Sequence, residues 1–247
     1  METIFSCRDI SKCYEGSPVI RGVNLELASG EFISLLGRSG VGKTTLFNIL
    51  SGVDRPDSGG VYLSGENITG VSGRVSYMLQ KDLLLEYRTA LDNVILPLVI
   101  LRTPPREARR RAAALFPRFG LAGCENKYPR QMSGGMRQRA ALLRTCMMNN
   151  PVMLLDEPFS ALDAITRLSM HHWYKEIAAA MKLSTFFITH DVDEALLLSD
   201  SVYIMDKTPG EITRRFDIAP SRALTEDFPA SPEYASFKKQ IFAAINM

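Results

Sequence analysis

Within the run "FISLLGRSGVGKTTLFNILSG", residues 32 to 52, the spacing Gly37-x-x-x-x-Gly42-Lys43-Thr44 sets glycines beside a lysine and two hydroxyls. Glycine frees backbone N–H groups to converge on an anion, lysine adds a point charge, and a hydroxyl offers oxygen to a hard cation. That chemistry suits a nucleotide polyphosphate. Lys43 would reach the β and γ phosphates and Thr44 would ligate Mg²⁺, with Ser39, Gly40 and Thr45 lying in the same loop. Such a loop does not by itself separate kinases, GTPases and ATPases.

Two further stretches carry chemistry. In "PVMLLDEPFSALD", residues 151 to 163, an apolar run delivers adjacent carboxylates. Asp156 would hold Mg²⁺ through water, and Glu157, one step on, would orient or deprotonate an attacking water. In "QMSGGMRQRAALLRTCMM", Ser133, Gly134 and Gly135 form a second glycine turn opening a helix, and so a second potential anion site.

The elements that position these groups are legible from periodicity. "EFISLL" reads as a short buried strand, and Leu46, Phe47, Ile49 and Leu50 form a helical apolar face that stops near Gly52. The phosphate-binding loop therefore lies between strand and helix, its expected context. The apolar run before Asp156 predicts a buried strand whose C-terminal end carries acids, where α/β sheets place their ligands.

One chain folded around one nucleotide has no use for two phosphate sites so far apart. Here "MSGGMRQR" resembles the signature motif of the ATP-binding cassette family, and the resemblance runs in motif order from about Phe5 to Asp206. The family implies an α/β P-loop NTPase with a RecA-like core, an N-terminal antiparallel β subdomain and an inserted helical subdomain. It also implies roles. Tyr14 would stack on adenine, Gln80 in "YMLQKD" would be the Q-loop residue sensing Mg²⁺, Asp163 in "SALD" would lie in the D-loop, and His190 in "FFITHD" would contact the γ-phosphate. Glu157 would be the catalytic base. The implied assembly is a head-to-tail homodimer in which Ser133, Gly134 and Gly135 of one protomer close over ATP and Mg²⁺ bound to the other. Two integral membrane permease subunits would convert the closure into transport, with a solute-binding protein as an indirect partner.

"SALDAITR" and "THDVDEALLLSDSVYIM" are similar to the ATPase subunits of bacterial importers for nitrate, sulfonates and taurine. An exporter or lipoprotein-release ATPase shares the same catalytic motifs and stays open as an alternative. "LLLEYRTALDNV" has Glu86-Tyr87 where many importer subunits carry Pro-Trp, in the stretch facing the permease.

The whole chain, 1 to 247, reads as a single nucleotide-binding domain with a helical signature subdomain over 88 to 145 and a short C-terminal extension over 207 to 247. The Thr89-x-x-Asp92 spacing predicts a helix cap, and the prolines of "TPPREARRRAAALF" predict a helix start. In the tail, a turn at Pro209-Gly210 should precede a strand in "EITRRFDI". A loop containing Pro220 and Pro229 follows, then a helix opened by Ser231-Pro232 with Phe237, Ile241 and Ile245 on one face.

Composition bounds the rest. With 46% hydrophobic residues the chain can bury a full core. The 29 basic residues nearly cancel the 27 acidic ones, which gives no electrostatic reason to expect nucleic acid. Arg106, Arg109, Arg110 and Arg111 read as a solvated helix face. Cys7, Cys13, Cys124 and Cys146 lack metal or disulfide spacing and read as buried free thiols in a reducing compartment. No apolar run reaches the roughly 18 residues of a spanning helix, so the expected place is the cytoplasm, peripheral on the inner face of the cell membrane.

Overall fold

The computed structural model of the chain describes residues 2–219 and 227–245. The chain divides into two compact units. The first comprises Met1–Val75, Pro151–Asp156 and Ala178–Met247, and the second Ser76–Asn150 and Glu157–Ile177.

The first unit contains two sheets. Strands β1 (Thr3–Tyr14), β2 (Ser17–Ala28), β4 (Ser58–Leu63) and β5 (Glu66–Asn67) form an antiparallel sheet in the order β2-β1-β4-β5. The other is built on β3 (Phe32–Leu36), which pairs in parallel with both β8 (Ser184–Thr189) and β9 (Ser201–Asp206). On the far side of β8 lies β7 (Val152–Asp156), also parallel, and β10 (Glu211–Asp217) runs antiparallel to β9. Every residue of β3, β7 and β8 is buried, the uninterrupted apolar pattern of strands covered on both faces. Helix α1 (Lys43–Leu50) buries the four predicted apolar residues, and Phe47 meets Phe186 edge-on at 4.9 Å.

The second unit holds the short strand β6 (Ser76–Met78), helices α2 (Ala90–Val94), α3 (Leu96–Ile100), α4 (Pro105–Leu115) and α5 (Gly134–Cys146), and most of α6 (Ala164–Met181). Thr89 caps α2 by accepting from the Asp92 N–H at 3.2 Å. Proline sits at the start of α4, as its sequence predicts, and the four arginines of that helix region are exposed while Ala108 and Ala112 are buried. Arg109 pairs with Asp92, and Arg111 with Glu107.

Returning to the first unit, the tail strand forms at Glu211–Asp217, and the last helix, α8, spans Pro232–Ile245 after a helix α7 (Val192–Leu198) that follows β8. Two expectations need correction. Pro229 lies in a 3₁₀ turn over Phe228–Ala230, where the buried Phe228 ring packs against Tyr234, so this part of the expected loop is structured. Cys13 is exposed, near the end of a strand whose register with β2 shifts repeatedly between Cys7 and Cys13; Cys7, Cys124 and Cys146 are buried. Burial pushes the thiols of Cys7 and Cys146 up to about 12, leaving them inert at neutral pH. Pro220 lies outside the described residues. Among the described residues no helix is long and apolar enough to cross a membrane.

Asn93 is the principal polar anchor inside the second unit. It is fully buried; its Nδ2 faces the carbonyls of Leu85, Arg88 and Thr89 at 3.1, 3.2 and 3.0 Å, and its Oδ1 accepts from the Leu85 N–H at 2.6 Å. It thereby fixes the loop that leads from Gln80 into α2. Asn93→Leu keeps the volume but strands these backbone groups, so a loss of about 2–3 kcal/mol in urea unfolding is expected; an unchanged midpoint would show that the loop is held by other means.

Candidate active site

Gly37 follows β3 directly and is buried. A β-carbon there would lie 2.3 Å from the Met205 carbonyl oxygen, so only glycine lets the loop leave the sheet at this point. Gly42 has φ +105°, a conformation closed to ordinary L side chains, and it turns the chain into α1. Lys43 is buried to 7% exposure, and its Nζ donates to the carbonyls of Gly37 at 2.7 Å and Arg38 at 2.9 Å. The ammonium thus spans its own loop, drawing it into a closed turn. Ser39, Gly40 and Thr44 stand exposed on the same segment, and Thr45 is half-buried.

Beside that loop, Thr44 Oγ1 donates to Asp156 Oδ2 at 3.2 Å. The two parallel strands ending at one sheet edge cause this meeting, since β3 leads into α1 and β7 ends at Asp156. A hydroxyl and a carboxylate are hard oxygen donors, and this set fits Mg²⁺, which takes one or two protein oxygens and completes its shell with phosphates and water.

Tyr14, at the end of β1, is 43% exposed. Its hydroxyl donates to Asp54 Oδ2 at 2.5 Å, and Lys12 Nζ donates to Asp54 Oδ1 at 3.1 Å while lying 5.1 Å from the Tyr14 ring centre. The ring is thereby held upright with one face bounded by a cation. Lys12 and Asp54 carry no sequence signal for this role, because their partnership joins positions forty-two residues apart.

His190 follows β8 and is exposed. Its neighbours fix the turn: the Asp191 N–H donates to Thr189 Oγ1 at 3.0 Å, the Thr189 hydroxyl donates to the buried Glu194 carboxylate, and the Asp191 side chain caps α7.

In the second unit, Gln80 Nε2 donates to Glu157 Oε2 at 3.2 Å. Glu157 has φ +43°, an uncommon backbone state for a side chain larger than glycine and one concentrated at functional positions. Ser133 caps α5 by accepting from the Met136 N–H at 3.3 Å, leaving the first N–H groups of the helix, on Gly134 and Gly135, without intrahelical partners. Gly135 is confined, because a β-carbon would come within 3.3 Å of Thr166 Cγ2. Asp163 is exposed and accepts from the Thr166 N–H at 3.0 Å, and this backbone bond holds its carboxyl below the usual range.

The motif reading assigns no contact to Arg137 or Arg144. From α5, Arg137 pairs with Asp82 at 3.3 Å, and Arg144 donates to the carbonyls of Asp82 at 2.5 Å and Leu83 at 2.8 Å. The helix opened by Ser133 therefore grips the loop that carries Gln80. The seven-residue separation of the two arginines, two helical turns, is the one available sequence clue.

The ABC transporter family pattern matches residues 20–160. The chain belongs to this family. The cassette is 37% identical to the formylaminopyrimidine import ATP-binding protein ThiZ of Halalkalibacterium halodurans over 99% of this chain and 97% of that protein. It is 42% identical to the aliphatic sulfonates import ATP-binding protein SsuB 1 of Rhodococcus jostii, over 85% of this chain and 81% of the relative. A dimeric ATP-binding cassette in a post-hydrolysis state, bound to ADP and Pi, superposes with a TM-score of 0.75 at 28% identity, covering 87% of this chain and 99% of that one. The chain is an ATPase of this family, with the α/β P-loop fold expected from its motifs.

The Tyr14–Asp54 contact has a measurable signature. Bonding to Asp54, with burial second, pushes the Tyr14 phenol up to about 12 against a smaller opposing effect of Thr45, while the phenol holds the Asp54 carboxyl below its ordinary 3.8. The raised phenol favours the fold below pH 10 and is lost as pH rises through about 12; the depressed carboxyl favours it above pH 3.8 and is lost on acidification through its folded value. In a ¹³C-labelled-tyrosine titration the Tyr14 ring signal should stay protonated through roughly pH 11, and Asp54→Asn should bring its midpoint back toward about 10. A Tyr14 that titrates normally in the parent would contradict the contact.

Proposed function

We propose that this chain is the ATP-hydrolysing motor subunit of a bacterial importer for small organic or inorganic anions of the nitrate, sulfonate and taurine kind. It acts as a head-to-tail homodimer on the cytoplasmic face of the cell membrane, beneath integral permease subunits that receive solute from a binding protein. The observation that carries this reading is Ser133 at the head of α5: a second helix N-terminus suited to phosphate, in a different unit from the phosphate loop. A single self-contained nucleotide site leaves that helix end without a purpose, and a partner's site gives it one. The relatives' names support import, since ThiZ and SsuB 1 are both import ATP-binding proteins.

In this reading, Tyr14 receives the adenine ring and the amides of the loop from Gly37 to Thr45 hold the phosphates. On binding, the Lys43 ammonium exchanges its loop carbonyls for phosphate oxygens. Thr44 and Asp156 would hold Mg²⁺, which supplies charge neutralisation on the phosphates when bound. Glu157 orients the attacking water and accepts its proton, Gln80 fixes that carboxylate through its Nε2, and His190 donates to the γ-phosphate. Asp163 lines the shared face, and the free N–H groups at Gly134 and Gly135 of the other protomer stabilise charge on the transferring phosphoryl group. Catalysis is then mostly positioning and preorganised electrostatics. Closure reaches the permease through the Gln80 loop, which Arg137 and Arg144 tie to α5. Around that loop and α3, Leu79, Leu83, Tyr87, Val99, Ile100 and Leu101 expose apolar surface suited to a membrane-protein partner.

Mixing complementary variants tests the shared site. Glu157→Gln should bind ATP, accumulate as a dimer and lose turnover by about 10²–10⁴-fold, and Ser133→Ala should be nearly inactive. An equimolar mixture forms one site with both groups intact, so turnover should recover above either variant alone and rise cooperatively with protein concentration. Concentration-independent turnover, or no recovery on mixing, would favour a self-contained enzyme. Copurification with a permease and a solute-binding protein supports import; a membrane partner with a large periplasmic domain would redirect the reading to release or export.

A further inference from the structure

Two polar contacts tie helix α8 to the rest of the first unit, one in the phosphate loop and one in the helix that follows His190. At the end of α8, Arg38, the second residue of the phosphate loop, donates from Nε at 3.0 Å and Nη2 at 2.8 Å to the carbonyl of Ile245. The last carbonyls of a helix have no intrahelical donor and lie at the negative end of its dipole, so a guanidinium there satisfies both needs. Nearer its start, Lys238 Nζ donates to the two oxygens of Asp193 at 2.7 and 2.8 Å, and the Tyr234 hydroxyl donates to Asp193 Oδ1 at 2.5 Å. Asp193 lies in the first turn of α7, three residues after His190.

The helix is not a loose tail. Ile241 and Ala244 are buried in a cluster with Val192, Leu196, Ile204 and Leu36, the last residue of β3 before Gly37. Burial opposes the Asp193 charge, but the Lys238 and Tyr234 bonds outweigh it and hold the carboxyl below its ordinary range, so this contact is charged at neutral pH. The Arg38 contact by contrast borders an open cavity of about 580 Å³, lined also by Asp206, Lys207 and Thr208, which leaves the guanidinium room to swing free.

We propose that α8 is a brace that holds the phosphate loop in register with the helix following His190, and that Arg38 is a positioning residue for nucleotide binding through its bond to Ile245. The phosphate loop contains glycines at φ +80° and +105°, Gly40 and Gly42, and although Lys43 clasps the carbonyls of Gly37 and Arg38, residues 38–40 stand exposed, so ordering them still costs conformational entropy. Anchoring its second residue to a packed helix reduces the ordering that a phosphate must impose, and so raises affinity. The inference needs only the ATP binding of the family and stands or falls independently of import.

The test uses the full chain, MgADP calorimetry and backbone hydrogen exchange. Arg38→Ala should weaken MgADP about fivefold, and should speed exchange both at residues 38–42 and at 241–245 with little change in the global unfolding midpoint. Arg38→Lys should recover part of the affinity. Lys238→Met, remote from the phosphates, should weaken MgADP about twofold and speed exchange at 38–42, and the double variant should bind no more weakly than Arg38→Ala. Three outcomes overturn the brace: unchanged affinity in Arg38→Ala, lost affinity with parent-like exchange at 241–245, which makes Arg38 a direct nucleotide contact, or additive losses in the double variant.

Discussion

The placement of β3 between two parallel neighbours is the constraint on which the nucleotide-facing part of the first unit depends. Its pairing with β8 and β9, and that of β8 with β7, directs the C-terminal ends of all four strands to one sheet edge. At that edge emerge the phosphate loop after Leu36, the carboxylate of Asp156 and the turn bearing His190. A parallel sheet buried on both faces has no freedom to slip register without exposing a core strand. The Thr44–Asp156 contact follows from this register, although 112 residues separate the two in sequence.

Around that edge the loop is shaped by exclusion as well as by attraction. Gly37 can leave the sheet only because it has no side chain to strike Met205, and Gly42 can enter α1 only because its φ is open to glycine. Lys43 then closes the turn with bonds to two carbonyls of its own loop. A buried ammonium needs such partners. Phosphate oxygens can replace those carbonyls, which makes the lysine both a structural clasp and a phosphate ligand in the proposed cycle.

In the proposed cycle the second unit has a different task, to present a helix end while keeping a loop responsive. Ser133 leaves amide groups open at the head of α5, Arg137 and Arg144 on the same helix hold the Gln80 loop, and Asn93 pins its far end. Among the strained or tightly fitted positions of this unit are Glu157, with its positive φ, and Gly135, against Thr166.

Local chemistry made much of this protein legible before folding was considered. The glycine spacing around Lys43, the apolar run ending at Asp156, the Ser133 cap and the Thr89 cap each depend on neighbours within one turn or strand, so the sequence alone determined the family, the main elements and the motif residues. It could not distinguish the exposed Cys13 from the buried Cys7, since both lie on β1 and their environments differ through strand irregularity and the partner on each face. Nor could it reveal that Asp54 orders Tyr14, that Arg144 holds Leu83, or that Arg38 of the phosphate loop meets Ile245. Only the tertiary structure decided these, because each joins groups between 40 and 207 residues apart whose own types are ordinary for a solvated surface. Short-range geometry is written in residue type and spacing, whereas long-range contacts are selected by the packing of the whole unit.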